Sequence, residues 1–559
     1  MSQTPKKQNF LHGAALLAMA TAIVKVIGAL YKIPLKMIIG DQGYGYFVTA
    51  YDIYTVLLMI STAGLPIAMS RMISQANALN HNNQVRRVYK TARAIFVGLG
   101  VVSTLLMVLF CHQLAQFQGQ PDAWAAIACL GPCALFMGII STYRGFFQGQ
   151  GDMRPTSNSQ MLEAVVKLVV GLAAAFAIMH FTQSVALAAA GAIIGVTVSC
   201  MASVGYLFSK FRPAYAQFPQ TDDTPQPYAE TVKSLLAIAI PITIGSAGLQ
   251  LLTILETNLY MGQLRTSLDA SLSAAELETW LQAYGYSGEA LARGDAIQFL
   301  MDTRKGIYNM AQTIFNMPCA FIIPICTSII PAIAAHLTLG SNQAVKATEE
   351  SSARITGLIS LPCAVGLLVL ARPVMGLLGG YSGEKLDLAA QLMALLSVSI
   401  FFYSTIQLTN SLLQAHGYAH IPVINMLLAG LMKLAVVYVL SGNPEIGILG
   451  AAIGAVLCYL CISILNVFAL KRVVKEKPAL LSNFLRPLLP AVIMGVLVYG
   501  CYFCLTEVLH IGSNLILCGV PIVVGVAAYV VCMVLFKSIT REDCLLLPKG
   551  ETIARLLKL

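Results

Sequence analysis

Charged side chains are scarce in this sequence. Of 559 residues only 11% are Asp, Glu, Lys or Arg, whereas soluble proteins carry about 25%. The hydrophobic fraction is 57%, and apolar runs of the roughly 20 residues that a helix needs to cross a bilayer recur along the chain. Because every backbone amide inside lipid must be paired within its own segment, these runs predict helices. The chain is therefore predicted to be an all-α integral membrane protein.

Signatures of several other functions are missing. The sequence has no glycine-rich phosphate loop of the Walker type, so ATP hydrolysis is not expected. Cys458 and Cys461 are spaced CxxC but have no histidine nearby, which predicts packing residues rather than metal ligands, and no cofactor is predicted. The net charge of +10 is explained by loops that face anionic lipid, so no nucleic-acid partner is expected.

The apolar runs divide into about fourteen predicted transmembrane helices. The first is expected to remain uncleaved, because its apolar run continues past a small-residue stretch to Ile39. The predicted spans are residues 11–39, 45–73, 91–111, 123–147, 157–179, 184–208, 234–260, 306–336, 352–378, 388–413, 421–440, 446–470, 485–507 and 513–536.

Loop charges predict the orientation. The loop after the second span is basic throughout, and the loop after the third carries Asp122 without Lys or Arg. By the positive-inside rule, both termini are predicted to be cytoplasmic. Residues 261–305 are polar, carry charges of both signs and fall outside by the same rule. We expect amphipathic helices on the outer face there; a variable surface insertion is the alternative.

The sequence contains an internal repeat. At a shift of 261 residues, Gly45 aligns with Gly306 and Ala92-Arg93 with Ala353-Arg354; at a shift of 266, Lys167 aligns with Lys433. The repeat unit contains an even number of spans, so both copies have the same orientation, as in the parallel repeats of transporters. This predicts two pseudo-symmetric six-helix lobes with a cavity between them.

The predicted domain boundaries follow from the repeat. The lobes are residues 1–208 and 234–470, the second containing the outer insertion 261–305. Residues 209–233 form a cytoplasmic linker, which its prolines, beginning with Pro213, are expected to keep non-helical. Residues 471–559 add two further transmembrane helices and a cytoplasmic tail.

Charged residues at membrane depth are costly and indicate function. Lys25, Lys32 and Lys36 fall on one face of the first span. Lys25 is too deep to reach water and is predicted to face the cavity with Lys32. Lys36 either lines the cavity or extends to the interface as an anchor.

Other candidates lie on later spans. Glu163 and Lys167 are four residues apart on one helix face, so they either line the transport path or form a buried structural ion pair. Lys433, the repeat counterpart of Lys167, has no acid at the corresponding position and is also predicted to line the substrate cavity. The remaining polar residues assigned to the cavity are Asn309 and Gln312, with a secondary set of Asp52, Arg71, Arg144 and Glu256, of which Glu256 is expected at the interface.

Several stretches carry a family resemblance. They are Gly64-Leu-Pro-Ile-Ala-Met-Ser-Arg71, Arg144-Gly-Phe-Phe-Gln-Gly149, Met153-Arg-Pro-Thr156, Ser159-Gln-Met-Leu-Glu163, Gln312-Thr-Ile-Phe-Asn-Met-Pro318 and Ser328-Ile-Ile-Pro-Ala-Ile333. Together they resemble the stage V sporulation protein B and polysaccharide-biosynthesis branch of the multidrug/oligosaccharidyl-lipid/polysaccharide (MOP) flippase superfamily, over about residues 10–540.

The resemblance implies a function. It implies a non-enzymatic flippase of the bacterial cell membrane that moves an undecaprenyl-linked sugar intermediate, with lipid II for peptidoglycan synthesis as the leading candidate. Related flippases of the MurJ kind carry basic residues in the first span, and Lys25 and Lys32 are similar in placement. Gln312 stands where those flippases carry an acidic–basic pair, so other lipid-linked glycans stay open, as does a coupling ion.

Two other functions were weighed against the flippase. A cation-coupled multidrug exporter of the same architecture ranks second, because cationic drugs need acidic cavity groups and lysines outnumber carboxylates at the predicted membrane depth. A membrane glycosyltransferase ranks last. It would need paired carboxylates or histidines, and His416 and His420 have no acid beside them in the sequence.

Overall fold

The computed structural model is built from α-helices. It describes residues 4–62, 65–216, 221–286, 291–338, 341–474 and 478–536, together with Ser538. Its helices fall into two compact units. The first unit comprises Met1–Gly262 and Met301–Gly306, and the second comprises Gln263–Leu300 and Ile307–Leu559. The prediction of an all-α membrane protein is confirmed.

The first unit begins with a long kinked helix. Its helices are α1 (Thr4–Thr62), α2 (Leu65–Ala78), α3 (Asn82–Leu109), α4 (Cys111–Phe117), α5 (Trp124–Gly149), α6 (Arg154–Thr182), α7 (Val185–Ala216) and the greater part of α8 (Tyr228–Ser271). Within α1, Gly40 has φ 69° and ψ −175°, a conformation that glycine adopts without steric cost. This kink separates the first two predicted spans.

The second unit holds the remaining helices. They are α9 (Ala274–Ala283), α10 (Arg293–Thr338) from Ile307 onward with its first residues up to Leu300, α11 (Asn342–Val369), α12 (Ala371–Gly379), α13 (Gly383–Ala415), α14 (His420–Ser441), α15 (Leu449–Val473), α16 (Leu480–Leu485), α17 (Leu488–Phe503) and α18 (Asn514–Leu535). A single π-helical turn, Cys504–Val508, extends α17.

The predicted spans match these helices. Within the described residues, ten helical segments are long and apolar enough to cross a bilayer, and they coincide with the third to sixth and ninth to fourteenth predicted spans. The other four predicted spans lie on α1, α8 and α10. In the segment 261–305, α9 is helical as expected, and Ser273 and Glu276 form a reciprocal capping box at its start.

The linker differs from the prediction at both ends. Helix α7 continues through Pro213 to Ala216, and α8 begins at Tyr228, so a shorter segment is non-helical than expected. The last turn of α7 is retained because its aromatic residues pack against the N-terminal end of α3. The Phe211 and Tyr89 rings stack with centroids 4.7 Å apart, and the Tyr215 and Tyr89 centroids are 5.3 Å apart.

The described part of the linker caps helix α3. The backbone N–H groups of Asn83 and Gln84 donate to the two carboxylate oxygens of Asp223 at 3.1 and 2.9 Å. Partial burial raises the pKa of the Asp223 carboxyl, but hydrogen bonds from Thr221, Asn83 and Gln84 outweigh it, and the net pKa lies below its ordinary value. The N-cap residue His81 makes no side-chain cap hydrogen bond. Asp223 of the linker therefore caps the first turn of α3 in its place.

The boundary between the units does not coincide with the predicted one. Helix α8 belongs to the first unit as far as Gly262, whereas the internal repeat assigns residues 234–260 to the second lobe. The structural units describe packing and the repeat describes sequence duplication, so the predicted domain boundaries stay a prediction.

Candidate functional site

The first unit concentrates ionisable side chains at membrane depth. Helix α1 contributes Lys32 and Lys36 before its kink and Asp41 and Asp52 after it. The other contributions are Arg144 from α5, Glu163 and Lys167 from α6, Glu256 from α8, and Asp302 and Lys305 from the six-residue segment of α10 that belongs to this unit. We call this set the charged cluster of the first unit.

Two lysines of this cluster lie within electrostatic range of each other. Lys32 and Lys167, both partly buried, are close enough to repel each other electrostatically. The ammonium group of Lys167 lies 5.7 Å from the centroid of the Tyr31 ring, and the Tyr31 hydroxyl donates to the carbonyl of Ala192 at 3.3 Å. The aromatic ring fixes one lysine by a cation–π contact and holds it beside the other.

Glu163 has a different partner from the predicted one. Its carboxylate accepts from Arg144 Nη2 at 3.1 Å, and Arg144 Nε donates to the Ser159 hydroxyl at 3.0 Å. Lys167 is within electrostatic range of Glu163 but forms no ion pair with it, because its ammonium group lies over the Tyr31 ring. The alternative of a Glu163–Lys167 ion pair is therefore wrong. The Glu163 carboxylate is paired instead with Arg144 of the neighbouring helix, whose guanidinium is held in place by Ser159.

Lys36 does not extend to the interface. Its ammonium group lies 3.2 Å from a carboxylate oxygen of Asp41, and both side chains are 7% exposed. The kink at Gly40 places the two residues beside each other, so Lys36 is a paired residue rather than an interfacial anchor. Glu256, expected at the interface, is also buried, and α8 places it within electrostatic range of Asp52.

A buried network in the first half of α10 was not predicted from the sequence. Lys305 and Asp302 are 0% and 1% exposed, although both fall within the predicted outer insertion. Lys305 Nζ donates to the Thr49 hydroxyl at 2.5 Å, and Gln120 Nε2 donates to Asp302 at 3.1 Å. The Tyr46 hydroxyl donates to the same carboxylate at 3.3 Å. The predicted span that begins at Gly306, directly after Lys305, was the available signal that Lys305 would be buried.

The other predicted residues lie apart from this cluster. Arg71 is exposed on α2. The helical backbone of α1 includes Lys25, but its side chain lies outside the described residues, so its predicted role is untested. The second unit contains Asn309, which is buried, and Gln312 and Lys433, which are partly buried.

The second unit contains an acid beside His416. Glu349 is fully buried, and its Oε1 lies 2.8 Å from His416 Nε2. The expectation that His416 has no acidic neighbour is therefore wrong, because helix α11 brings Glu349 to the end of α13. The same unit holds an amide network in which Asn466 bonds to Asn425 at 2.9 Å and to Asn410 at 2.7 Å. Within the described residues, no group of three or more His, Cys, Asp or Glu is placed to hold a metal ion.

Comparison with known families assigns the chain. A family model described as "polysaccharide biosynthesis protein" matches residues 10–336, which is more than half of the 559-residue chain. The chain belongs to this family. The family lies within the MOP flippase superfamily, so the resemblance identified in the sequence is confirmed. A second model, "lipid II flippase MurJ", matches residues 297–518.

Relatives and solved structures agree with this membership. Stage V sporulation protein B of Bacillus subtilis (strain 168) is 24% identical over 475 residues, which cover 84% of each chain. The structure of lipid II flippase MurJ in an inward closed conformation superposes with a TM-score of 0.65 at 12% identity, over 95% of this chain and 99% of that chain. An inward-facing multidrug resistance MATE family transporter of the MOP superfamily superposes with a TM-score of 0.64 at 14% identity, over 83% and 99%.

The two solved structures, at these identities, show the fold alone. The family model covers α1 to α8, and so it spans the helices that carry Lys32, Arg144, Glu163 and Lys167. The charged cluster of the first unit is thus built on the part of the chain that defines the family.

Proposed function

We propose that this MOP-superfamily transporter is a flippase for an undecaprenyl-linked sugar intermediate, with lipid II as the leading candidate. It works by alternating access in the bacterial cell membrane, with both termini cytoplasmic and without ATP hydrolysis. A coupling ion or the membrane potential supplies the energy. The matches to the MurJ family model and to stage V sporulation protein B support a lipid-linked glycan as substrate.

The observation that carries this proposal is the juxtaposition of Lys32 and Lys167. Two ammonium groups of like charge at membrane depth disfavour each other, and partial burial removes the water that would screen them. Both side chains retain partial exposure, so a ligand can reach them. A diphosphate between a sugar and a polyprenyl chain carries the charge that would neutralise both lysines.

The predicted role of Lys25 follows the same logic. It precedes Lys32 by about two helical turns in the sequence, and this spacing predicts that the two lysines share a helix face. A row of ammonium groups attracts a diphosphate without requiring the bidentate geometry that arginine imposes. Lys25 therefore remains assigned to the substrate head group.

The polyprenyl tail needs an apolar surface, and the second unit provides one. A groove of about 500 Å³ is formed by α10, α11, α17 and α18 and is lined almost entirely by apolar side chains, among them Phe321, Val498 and Val526. An apolar chain can occupy such a groove. This groove supports a lipid-linked substrate over a soluble one.

A cation-coupled multidrug exporter is the alternative. The partly buried carboxylate of Asp52, the buried carboxylate of Glu256 and the similarity of the fold to a MATE transporter favour it. However, Asp52 lies within electrostatic range of Lys305, its stronger cationic neighbour, and of Lys32, and both lysines repel a cationic ligand. A cationic drug would compete with these lysines, which is why the exporter ranks second.

Complementation tests the proposal. The wild-type gene and three single variants, Lys167→Ala, Lys167→Arg and Lys210→Ala, are each expressed in bacterial cells depleted of their lipid II flippase. Lys210 is an exposed lysine on α7, so Lys210→Ala serves as the control. We expect the wild type, Lys167→Arg and the control to restore growth and Lys167→Ala to fail at equal membrane abundance. Normal growth with Lys167→Ala would contradict the role of this lysine. Failure of the wild type, together with export of cationic dyes, would favour the exporter.

A further inference from the structure

The short helix α16 and the end of α15 enclose a second pocket in the second unit. It has a volume of about 570 Å³ and is lined by residues of α13, α15 and α16. This volume lies in the range of about 300–1,000 Å³ that small-ligand sites occupy. The pocket is distinct from the apolar groove described above and shares no lining residue with it. We call it the α16 pocket.

The floor of the α16 pocket is apolar. Leu408, Leu470, Val474 and Phe484 line it, and each is at most 4% exposed. At its mouth, the Leu481 side chain is 62% exposed. Buried leucine, valine and phenylalanine offer no hydrogen-bonding groups, so this part of the pocket fits a hydrocarbon chain rather than a sugar or a nucleotide.

Two contacts with α11 fix α16 and the residue before it beside the pocket. Arg354 Nη1 donates to the Asn483 side-chain oxygen at 2.9 Å, and the backbone N–H of Ala479 donates to Glu350 at 3.0 Å. Because these contacts tie α16 to α11, the helix cannot fold over the gap beside α15. The pocket is therefore part of the packed structure.

Close backbone contact completes this arrangement. The Phe484 ring packs edge-on against Phe401 with centroids 5.4 Å apart. A Cβ atom at Gly357 would lie 2.2 Å from the Phe484 carbonyl oxygen, so only glycine permits α16 to approach α11 this closely.

One end of the pocket is cationic. Lys471 is the charged residue among its lining residues, and it is exposed together with its neighbour Arg472 at the end of α15. Both lie in the last helical turn, where a membrane-spanning helix meets the head-group region. By the loop charges, this end faces the cytoplasm, where anionic lipids attract basic residues.

We propose that the α16 pocket binds an anionic phospholipid of the cytoplasmic leaflet, with one acyl chain on the apolar floor and the phosphate beside Lys471. A cavity that is lined mainly by apolar side chains and has a lysine at one end matches the two parts of such a lipid. A neutral phospholipid fits the same floor but gains less from Lys471, so the site discriminates by charge. The lipid is a ligand separate from the transported substrate.

Native mass spectrometry of the purified full-length protein tests this site. The protein is titrated with palmitoyl-oleoyl phosphatidylglycerol and, separately, with the phosphatidylcholine of the same chains. We expect tighter binding of phosphatidylglycerol. Lys471→Gln should weaken phosphatidylglycerol binding about fivefold, since one basic residue near a membrane surface contributes about that factor. The same change should leave phosphatidylcholine binding unaltered, and Lys210→Gln, the matched exposed lysine of the first unit, should change neither.

Fluorescence quenching at the pocket mouth gives a second test, which leaves the buried lining residues unchanged. Leu481→Trp places a fluorophore at the exposed mouth of the pocket. The fluorescence of the wild-type protein gives the background from its native tryptophans. Brominated phosphatidylglycerol in vesicles should quench it more strongly than brominated phosphatidylcholine, and Lys471→Gln should remove the difference. Equal quenching by the two lipids, or equal binding of both in the titration, would overturn the proposal. Neither readout requires transport, so the result is independent of the proposed function.

Discussion

Replacing Arg144 with methionine strands the Glu163 carboxylate inside the first unit. The two groups are 3.1 Å apart, with 12% and 27% of their side chains exposed. Removing one partner of a buried ion pair costs about 3–5 kcal/mol. Because Glu163 retains some contact with water, we expect the lower end, a loss of about 3 kcal/mol in the free energy of unfolding.

The double variant Arg144→Met/Glu163→Leu should be far milder than either single change. It leaves no charge behind, and apolar replacements of a buried pair are often neutral. We expect a loss of about 1 kcal/mol or less. The matching cycle on Glu163 and Lys167 should show coupling below about 1 kcal/mol, since Lys167 lies over Tyr31 and interacts with Glu163 only at longer range.

Reversible SDS unfolding in mixed micelles, followed by far-UV circular dichroism, measures these free energies. Arg212→Met, a change at an exposed arginine of α7, serves as control and should stay within about 0.5 kcal/mol of the wild type. Additive effects of Arg144→Met and Glu163→Leu would refute the pairing. Strong coupling between Glu163 and Lys167 instead would restore the pair that helix spacing suggests.

Three further predictions concern the linker, the α16 contact and the orientation. Asp223→Ala should lower the free energy of unfolding by about 1 kcal/mol at neutral pH, because it removes the cap of α3. Since the pKa of Asp223 is lowered in the folded state, this stabilisation is lost as the pH falls through that pKa. The stabilities of the variant and the wild type should therefore converge at low pH, measured by unfolding at a series of acidic pH values. Gly357→Ala should destabilise the second unit by about 2 kcal/mol through overpacking, measured by thermal unfolding. Gly366→Ala, where an added Cβ meets only a flexible side chain at 3.9 Å, should have little effect. Cysteines introduced as Ala275→Cys and Lys90→Cys should react with an impermeant maleimide from outside and inside respectively, and the reverse pattern would contradict the topology.

The helices could be predicted from sequence because lipid leaves the backbone few alternatives. A segment that must satisfy every amide internally becomes a helix, so apolar length alone located α3, α5, α6 and α7 within a few residues at most ends. The prediction was less accurate where a helix continues beyond its apolar run. Helix α7 extends past Pro213 because aromatic packing with Tyr89 compensates for the lost hydrogen bond, and that packing is not visible in local sequence.

The partners of the charged residues could not be predicted in the same way. Helical spacing shows which side chains share a face, but it says nothing about the face of the next helix. Arg144 and Glu163 are brought together by the packing of α5 and α6, and Glu349 and His416 by that of α11 and α13. Lys305 was assigned to an outer insertion because charge counts describe loops. The structure shows that the start of α10 carries it into the first unit.

Flipping of lipid II in proteoliposomes tests the central claim most directly. Purified protein is reconstituted with fluorescent lipid II, and a membrane-impermeant reductant measures the fraction that has reached the outer leaflet. We predict flipping by the wild type and by Lys210→Gln, and a rate close to that of protein-free vesicles for Lys32→Gln/Lys167→Gln at equal incorporation. A wild-type rate in the double variant would contradict the assignment of these two lysines to the substrate head group.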